Sequence, residues 1–80
     1  MPVRKLTGVP ALTTDEIIRL LERKGFRLIR TRGSHQMFLH PESRRQVVVP
    51  VHHRDLAHRT CAEIFREAGI SREELEELLK

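Results

Sequence analysis

The stretch Phe26-Arg27-Leu28-Ile29-Arg30-Thr31-Arg32-Gly33-Ser34-His35-Gln36-Met37-Phe38-Leu39-His40 holds two short apolar runs on either side of a turn signal. Phe26 to Thr31 alternates imperfectly, with arginines spaced so that one face of a strand stays wet. Arg32-Gly33-Ser34 reads as a turn, and Gln36 to His40, around Met37, Phe38 and Leu39, as a second strand. Pro41-Glu42-Ser43-Arg44-Arg45 is a polar hairpin loop, and Gln46 to Val49 is a β-branched third strand stopped by Pro50. Three consecutive strands with short links predict an antiparallel meander.

Helical patterns flank this meander. Thr13 and Glu16 stand at capping-box spacing, Ile17, Ile18, Leu20 and Leu21 recur at helical intervals, and Lys24-Gly25 is a stop signal. A first helix over about residues 15–24 follows. After a loop from Val51 to Arg59, Thr60 and Glu63 repeat the capping-box spacing, with Ala62, Ile64, Phe65 and Ala68 able to face the sheet and Gly69 ending the helix. Ser71 with Glu74 opens a short last helix bearing Leu75, Leu78 and Leu79, whose acids at 73, 74, 76 and 77 read as a solvated face. The predicted fold class is α+β, in the order α-β-β-β-α plus a short C-terminal helix. Its two main helices cover one face of a three-stranded antiparallel sheet and leave the other face open.

Eighty residues are expected to make one domain spanning 1–80, near the lower size limit for unaided folding. Residues 1–12, with two prolines, a glycine and no periodicity, read as a flexible N-terminal arm. Three Phe and no Trp or Tyr make the core mostly aliphatic. The single cysteine, Cys61, excludes an internal disulfide and reads as a small core residue. A reducing, cytoplasmic setting fits that usage. No apolar run approaches the roughly 20 residues a bilayer span needs, so no membrane association is expected. The histidines His40, His52, His53 and His58 lack a familiar ligand spacing, and no metal or other cofactor is expected.

Charge is uneven along the chain. Between Arg23 and Arg59 nine Lys/Arg face two acids, whereas from Thr60 onward three face six. A basic middle and an acidic tail suggest one surface that meets an anion and another that stays solvated. His35 lies within that basic middle, at the entrance of the second strand and among Arg30, Arg32, Arg44 and Arg45. With an unperturbed pKa of roughly 6.5, histidine both accepts and donates protons near neutral pH. A polyanion could there be held and attacked. Taken alone, a histidine after Gly-Ser is more often a turn residue than a catalyst. Ser34 reads as a turn stabiliser, and Gly33 as serving backbone geometry or the close approach of a phosphate.

Several segments together resemble a known family: Leu21-Glu22-Arg23-Lys24-Gly25-Phe26, Arg30-Thr31-Arg32-Gly33-Ser34-His35, Val48-Val49-Pro50-Val51-His52 and Ala68-Gly69-Ile70. In this order and at these distances they are similar to the HicA, or YcfA-like, toxins of bacterial toxin–antitoxin systems, over about residues 14–79. The resemblance implies a double-stranded-RNA-binding-domain-like fold and a ribosome-independent endoribonuclease, an mRNA interferase. It also implies a HicB antitoxin that blocks the nuclease, hence a monomer alone and a hetero-oligomer with the antitoxin. The family's Gly-Ser-His histidine, credited with catalysis, maps onto His35. One departure is His58-Arg59-Thr60, where many members carry Pro-Gly-Thr before the second helix.

RNA is cleaved most simply when its own 2′-hydroxyl attacks the adjacent phosphorus. His35 suits the general base, and Arg30 and Arg32, sharing strand parity, suit the stabilisation of charge on phosphorus. Lys24, Arg44 and Arg45, with Gly33 and Ser34 at the turn, are expected to follow the RNA backbone. His52 and His53 are candidates for the general acid, as is water. Two other classes compete: a non-catalytic RNA-binding module that grips an A-form duplex by shape, and a protein-interaction domain whose basic face receives an acidic partner.

Overall fold

A computed structural model describes residues 12–51 and 56–79. His52, His53 and most of the N-terminal arm lie outside the described residues. The element order is α1 (Thr14–Lys24), β1 (Arg27–Arg32), β2 (His35–Leu39), β3 (Gln46–Pro50), α2 (His58–Ala68) and α3 (Arg72–Leu79). The strands form one antiparallel sheet in the order β1-β2-β3. This is the α-β-β-β-α layout with a terminal helix that the periodicity predicts.

Helix α1 begins at Thr13, whose hydroxyl accepts from the Glu16 amide while Glu16 accepts from the Thr13 amide in return. That reciprocal pair satisfies two amides that a helix start leaves unpaired. Its C-terminus closes at Gly25, φ +116°, with the Gly25 N–H on the Glu22 carbonyl and the Phe26 N–H reaching back to the Leu21 carbonyl. Helix α2 ends in the same way, through Gly69 and Ile70. In both, the glycine tolerates the left-handed turn and the apolar residue after it enters the core.

The start of α2 departs from expectation. Thr60 is not its cap: the helix begins at His58, and the N-cap is Ala57, which makes no side-chain hydrogen bond. Leu56 is buried with its amide on the Leu12 carbonyl, and the Cys61 amide already bonds the Ala57 carbonyl. Burial of Cys61, Ile64, Phe65 and Ala68 at helical intervals decides where the helix begins, and that outweighs a local cap. His58-Arg59-Thr60, the departure from the family pattern, is therefore the first turn of α2. The same contact shows that Leu12, at the end of the arm, is part of the core.

Ile17, Leu20 and Leu21 of α1, Ile64, Phe65 and Ala68 of α2, Phe38, Val47 and Val49 of the sheet and Leu75 of α3 make one core. Helices α1 and α2 both pack on β3, and α3 packs on α1. Coverage is thus concentrated over β3 and stops short of β1, all six residues of which are exposed. One wet face was expected for that strand; both are open. Glu74 of α3 is not simply solvated either, since its carboxylate pairs with Lys24 at the end of α1.

Candidate functional site

Gly33 and Ser34 are the two loop residues of the β1–β2 hairpin, which closes with Arg32 opposite His35. Gly33 has φ +57° and Ser34 does not have a positive φ, so the glycine alone takes the left-handed position of the loop. A two-residue loop leaves no freedom in register, so the turn places His35 directly across from Arg32. On its other side His35 is opposite Pro50 of β3, where the Val51 amide donates to the Ser34 carbonyl at 2.6 Å. The Ser34 side chain is exposed, and its backbone carbonyl stitches the hairpin to the end of β3. A Cβ at Gly33 would meet nothing within 4 Å, so the backbone turn, rather than crowding, calls for glycine.

The register then sorts the side chains. Phe38 is buried against the helices, so its neighbour Met37 and the residues opposite Met37 belong to the uncovered face. These are Arg30 on β1 and Val48 on β3. Leu28 pairs with Phe38, and an unbroken strand would put Arg30 and Arg32 on that same covered side. A bulge between Leu28 and Arg30 resets the parity and turns both arginines to the open face. Arg30, Arg32, His35, Met37 and Val48 line one shallow cleft of about 250 Å³ there.

Within the cleft the imidazole is exposed, with no hydrogen-bonding side chain on it among the described residues. Half-buried Met37, on the same face of β2 as His35 and opposite Arg30, and Val48, 41% exposed, form an aliphatic floor beside the His35–Arg32 pair. The sequence reading missed this floor, although period-two spacing from His35 points to Met37. Chemically, the cleft offers one imidazole, two arginine cations and an exposed apolar surface beside them.

The remaining predicted residues lie elsewhere. Arg44 and Arg45 are in the β2–β3 hairpin, at the far end of β2 from His35, a separation of about 13 Å along four strand residues. Arg44 sits at the tip with φ +66°. Arg45 reaches under the end of α2, where a guanidinium nitrogen donates to the Glu67 carbonyl at 3.1 Å beside Gly69. Lys24 is held by Glu74. His40, unassigned by the reading, locks the end of α1 to the hairpin: Nδ1 accepts from the Ser43 amide, so Nε2 carries the proton and donates to the Lys24 carbonyl.

Fold and site define a class: a small α+β domain whose three-stranded sheet is covered on one face and carries, on the other, an accessible histidine in a basic cleft. A family model for the HicA toxin of bacterial toxin–antitoxin systems matches residues 14–70. The chain belongs to the HicA toxin family. No curated protein matches it. Among the described residues no helix is long and apolar enough to cross a membrane.

Proposed function

We propose that this toxin is a cytoplasmic, metal-independent endoribonuclease that cleaves messenger RNA and is neutralised by a HicB-like antitoxin. The observation that carries the reading is the grouping of His35 with Arg30 and Arg32 in one cleft on the uncovered sheet face. His35 takes the proton of a 2′-hydroxyl, and the 2′-oxygen attacks the adjacent phosphorus. The bond to the 5′-oxygen breaks, the leaving oxygen takes a proton from water, the imidazolium returns its proton to the hydroxide so formed, and the products are a 2′,3′-cyclic phosphate and a 5′-hydroxyl end. Arg30 and Arg32 bind the non-bridging oxygens as negative charge grows on them. The Met37–Val48 floor seats a base or ribose of an unpaired strand, since sequence-tolerant binding of single strands needs an apolar platform next to cations. Arg44 follows the backbone further along, while Lys24 and Arg45 already serve Glu74 and the Glu67 carbonyl.

The test is cleavage of end-labelled RNA by the purified chain with EDTA present, beside His35→Ala. The expected result is cyclic phosphate ends from the parent and intact RNA with the variant, at similar RNA affinity. Cleavage that needs magnesium and leaves 5′-phosphates would refute the mechanism. Binding without scission by either protein would favour a non-catalytic RNA-binding module, whose affinity falls steeply with salt.

A further inference from the structure

We propose that the outer edge of β1 is the docking edge for an acidic, aliphatic β-strand of a partner protein, which adds to the sheet as a fourth strand. The proposal deepens the antitoxin reading above and rests on it for the partner's role. Strand β1 is hydrogen-bonded to β2 alone, so its outer backbone edge has no strand partner among the described residues. The six residues span about 20 Å and are exposed on both faces. Leu28 is 49% exposed and Ile29 48%, although they are adjacent aliphatic residues within a strand. An open edge with exposed aliphatic side chains is a template for another strand, and the three arginines and the bulge between Leu28 and Arg30 guard it against indiscriminate pairing, which narrows the occupant to a strand of opposite charge.

Charge selects the occupant. Arg27, Arg30 and Arg32 supply three cations to β1, which contains no acid. A second copy paired along this edge would bring arginines close to arginines across the ladder, which is destabilising. A strand with glutamates or aspartates at alternate positions and aliphatics between them would answer both the charge and the exposed Leu28 and Ile29. RNA would satisfy the arginines and leave the free amides, carbonyls and aliphatic groups unmet. The opposite edge is less suited: β3 ends in Pro50, which has no amide hydrogen, the Pro50 carbonyl accepts from the Thr14 hydroxyl, and α1 and α2 pack on that strand. An added strand at β1 would also place its acids beside Arg30 and Arg32, which line the His35 cleft. Docking there would therefore compete with a phosphate backbone for the same guanidinium groups.

The test uses the full chain, isotope-labelled for amide exchange, and three synthetic probes. The first is a short peptide alternating glutamate and valine, the second its twin N-methylated at every second amide, the third a lysine-for-glutamate version. With the first at about 100 times its Kd, outward-facing β1 amides should gain about 100-fold protection from exchange. The N-methylated and lysine peptides should give none. Arg27→Glu, outside the cleft, should weaken binding of the first peptide by about three- to tenfold. Equal binding of the N-methylated twin would reduce the contact to charge adhesion and overturn the proposal. So would protection confined to His35, Met37 and Val48, or no binding at all. RNA cleavage measured in parallel separates the two readings: docking on a chain that cuts no RNA would sink the nuclease and leave the edge, and cleavage without docking the reverse.

Discussion

Replacing Gly25 by alanine should cost far more than the same change at Gly33, although both residues have positive φ. Gly33 lies at φ +57° with open space around its absent Cβ, so Gly33→Ala bears only the left-handed penalty, about 1 kcal/mol. Gly25 lies at φ +116°, beyond the ordinary left-handed well, and a Cβ there would stand 2.9 Å from His40 Nε2. The ring would have to leave its 3.2 Å hydrogen bond to the Lys24 carbonyl, a further loss of about 1 kcal/mol. It would also disturb its edge-on contact with Phe26, whose ring centre lies 5.1 Å away. Backbone strain and the displaced latch together come to about 2–3 kcal/mol for Gly25→Ala, or roughly 10–20 °C in melting temperature for a domain of this size. Urea unfolding at equilibrium reads the difference directly, provided the slopes agree. His40→Ala removes the obstacle, so the double variant should be about 1 kcal/mol more stable than the sum of the single losses predicts. Strict additivity, or a Gly25→Ala cost within about 0.5 kcal/mol of Gly33→Ala, would show that the His40 contact is not what requires glycine.

Further outcomes follow from the cleft and the core. Arg30→Ala and Arg32→Ala should each lower the rate of RNA cleavage by about 10²-fold while leaving the urea midpoint within error, since both side chains are exposed; single-turnover cleavage with unfolding curves checks both halves. Met37→Ala should raise KM more than it lowers kcat, because the floor seats the strand rather than touching the reacting atoms, and steady-state kinetics on a short RNA separate the two. Phe38→Ala removes a ring that is 1% exposed and should cost about 3–5 kcal/mol, enough to unfold much of a domain this small at 37 °C, as circular dichroism would report. Glu74→Gln should cost no more than about 1 kcal/mol in urea unfolding and leave cleavage unchanged, because its pair with Lys24 is partly exposed and joins α1 to α3 away from the cleft.

Local chemistry decides most of the architecture. Thr13 with Glu16 starts α1, the Gly25-Phe26 and Gly69-Ile70 doublets stop two helices, and Gly33-Ser34 joins two strands, each through a short-range rule that any reader of the chain can apply. The same turn puts His35 at the first position of its strand, so the central residue of the candidate site is legible without coordinates. What the sequence could not disclose depends on contacts between distant segments. Thr60 and Glu63 have cap spacing, yet burial of Leu56 beside Leu12 and of Cys61 in the core moves the helix start to His58. Lys24 and Arg45 look like any other cations of the basic middle until α3 brings Glu74 to one and the end of α2 brings a carbonyl to the other. The deciding case is β1. Simple alternation would place Leu28, Arg30 and Arg32 on one face, and only the bulge between Leu28 and Arg30 separates the leucine from the two arginines and turns those arginines toward His35. A strand shifted by one residue exchanges its faces, and pairing with β2 selects the register, so the basic cleft is a property of the assembled sheet.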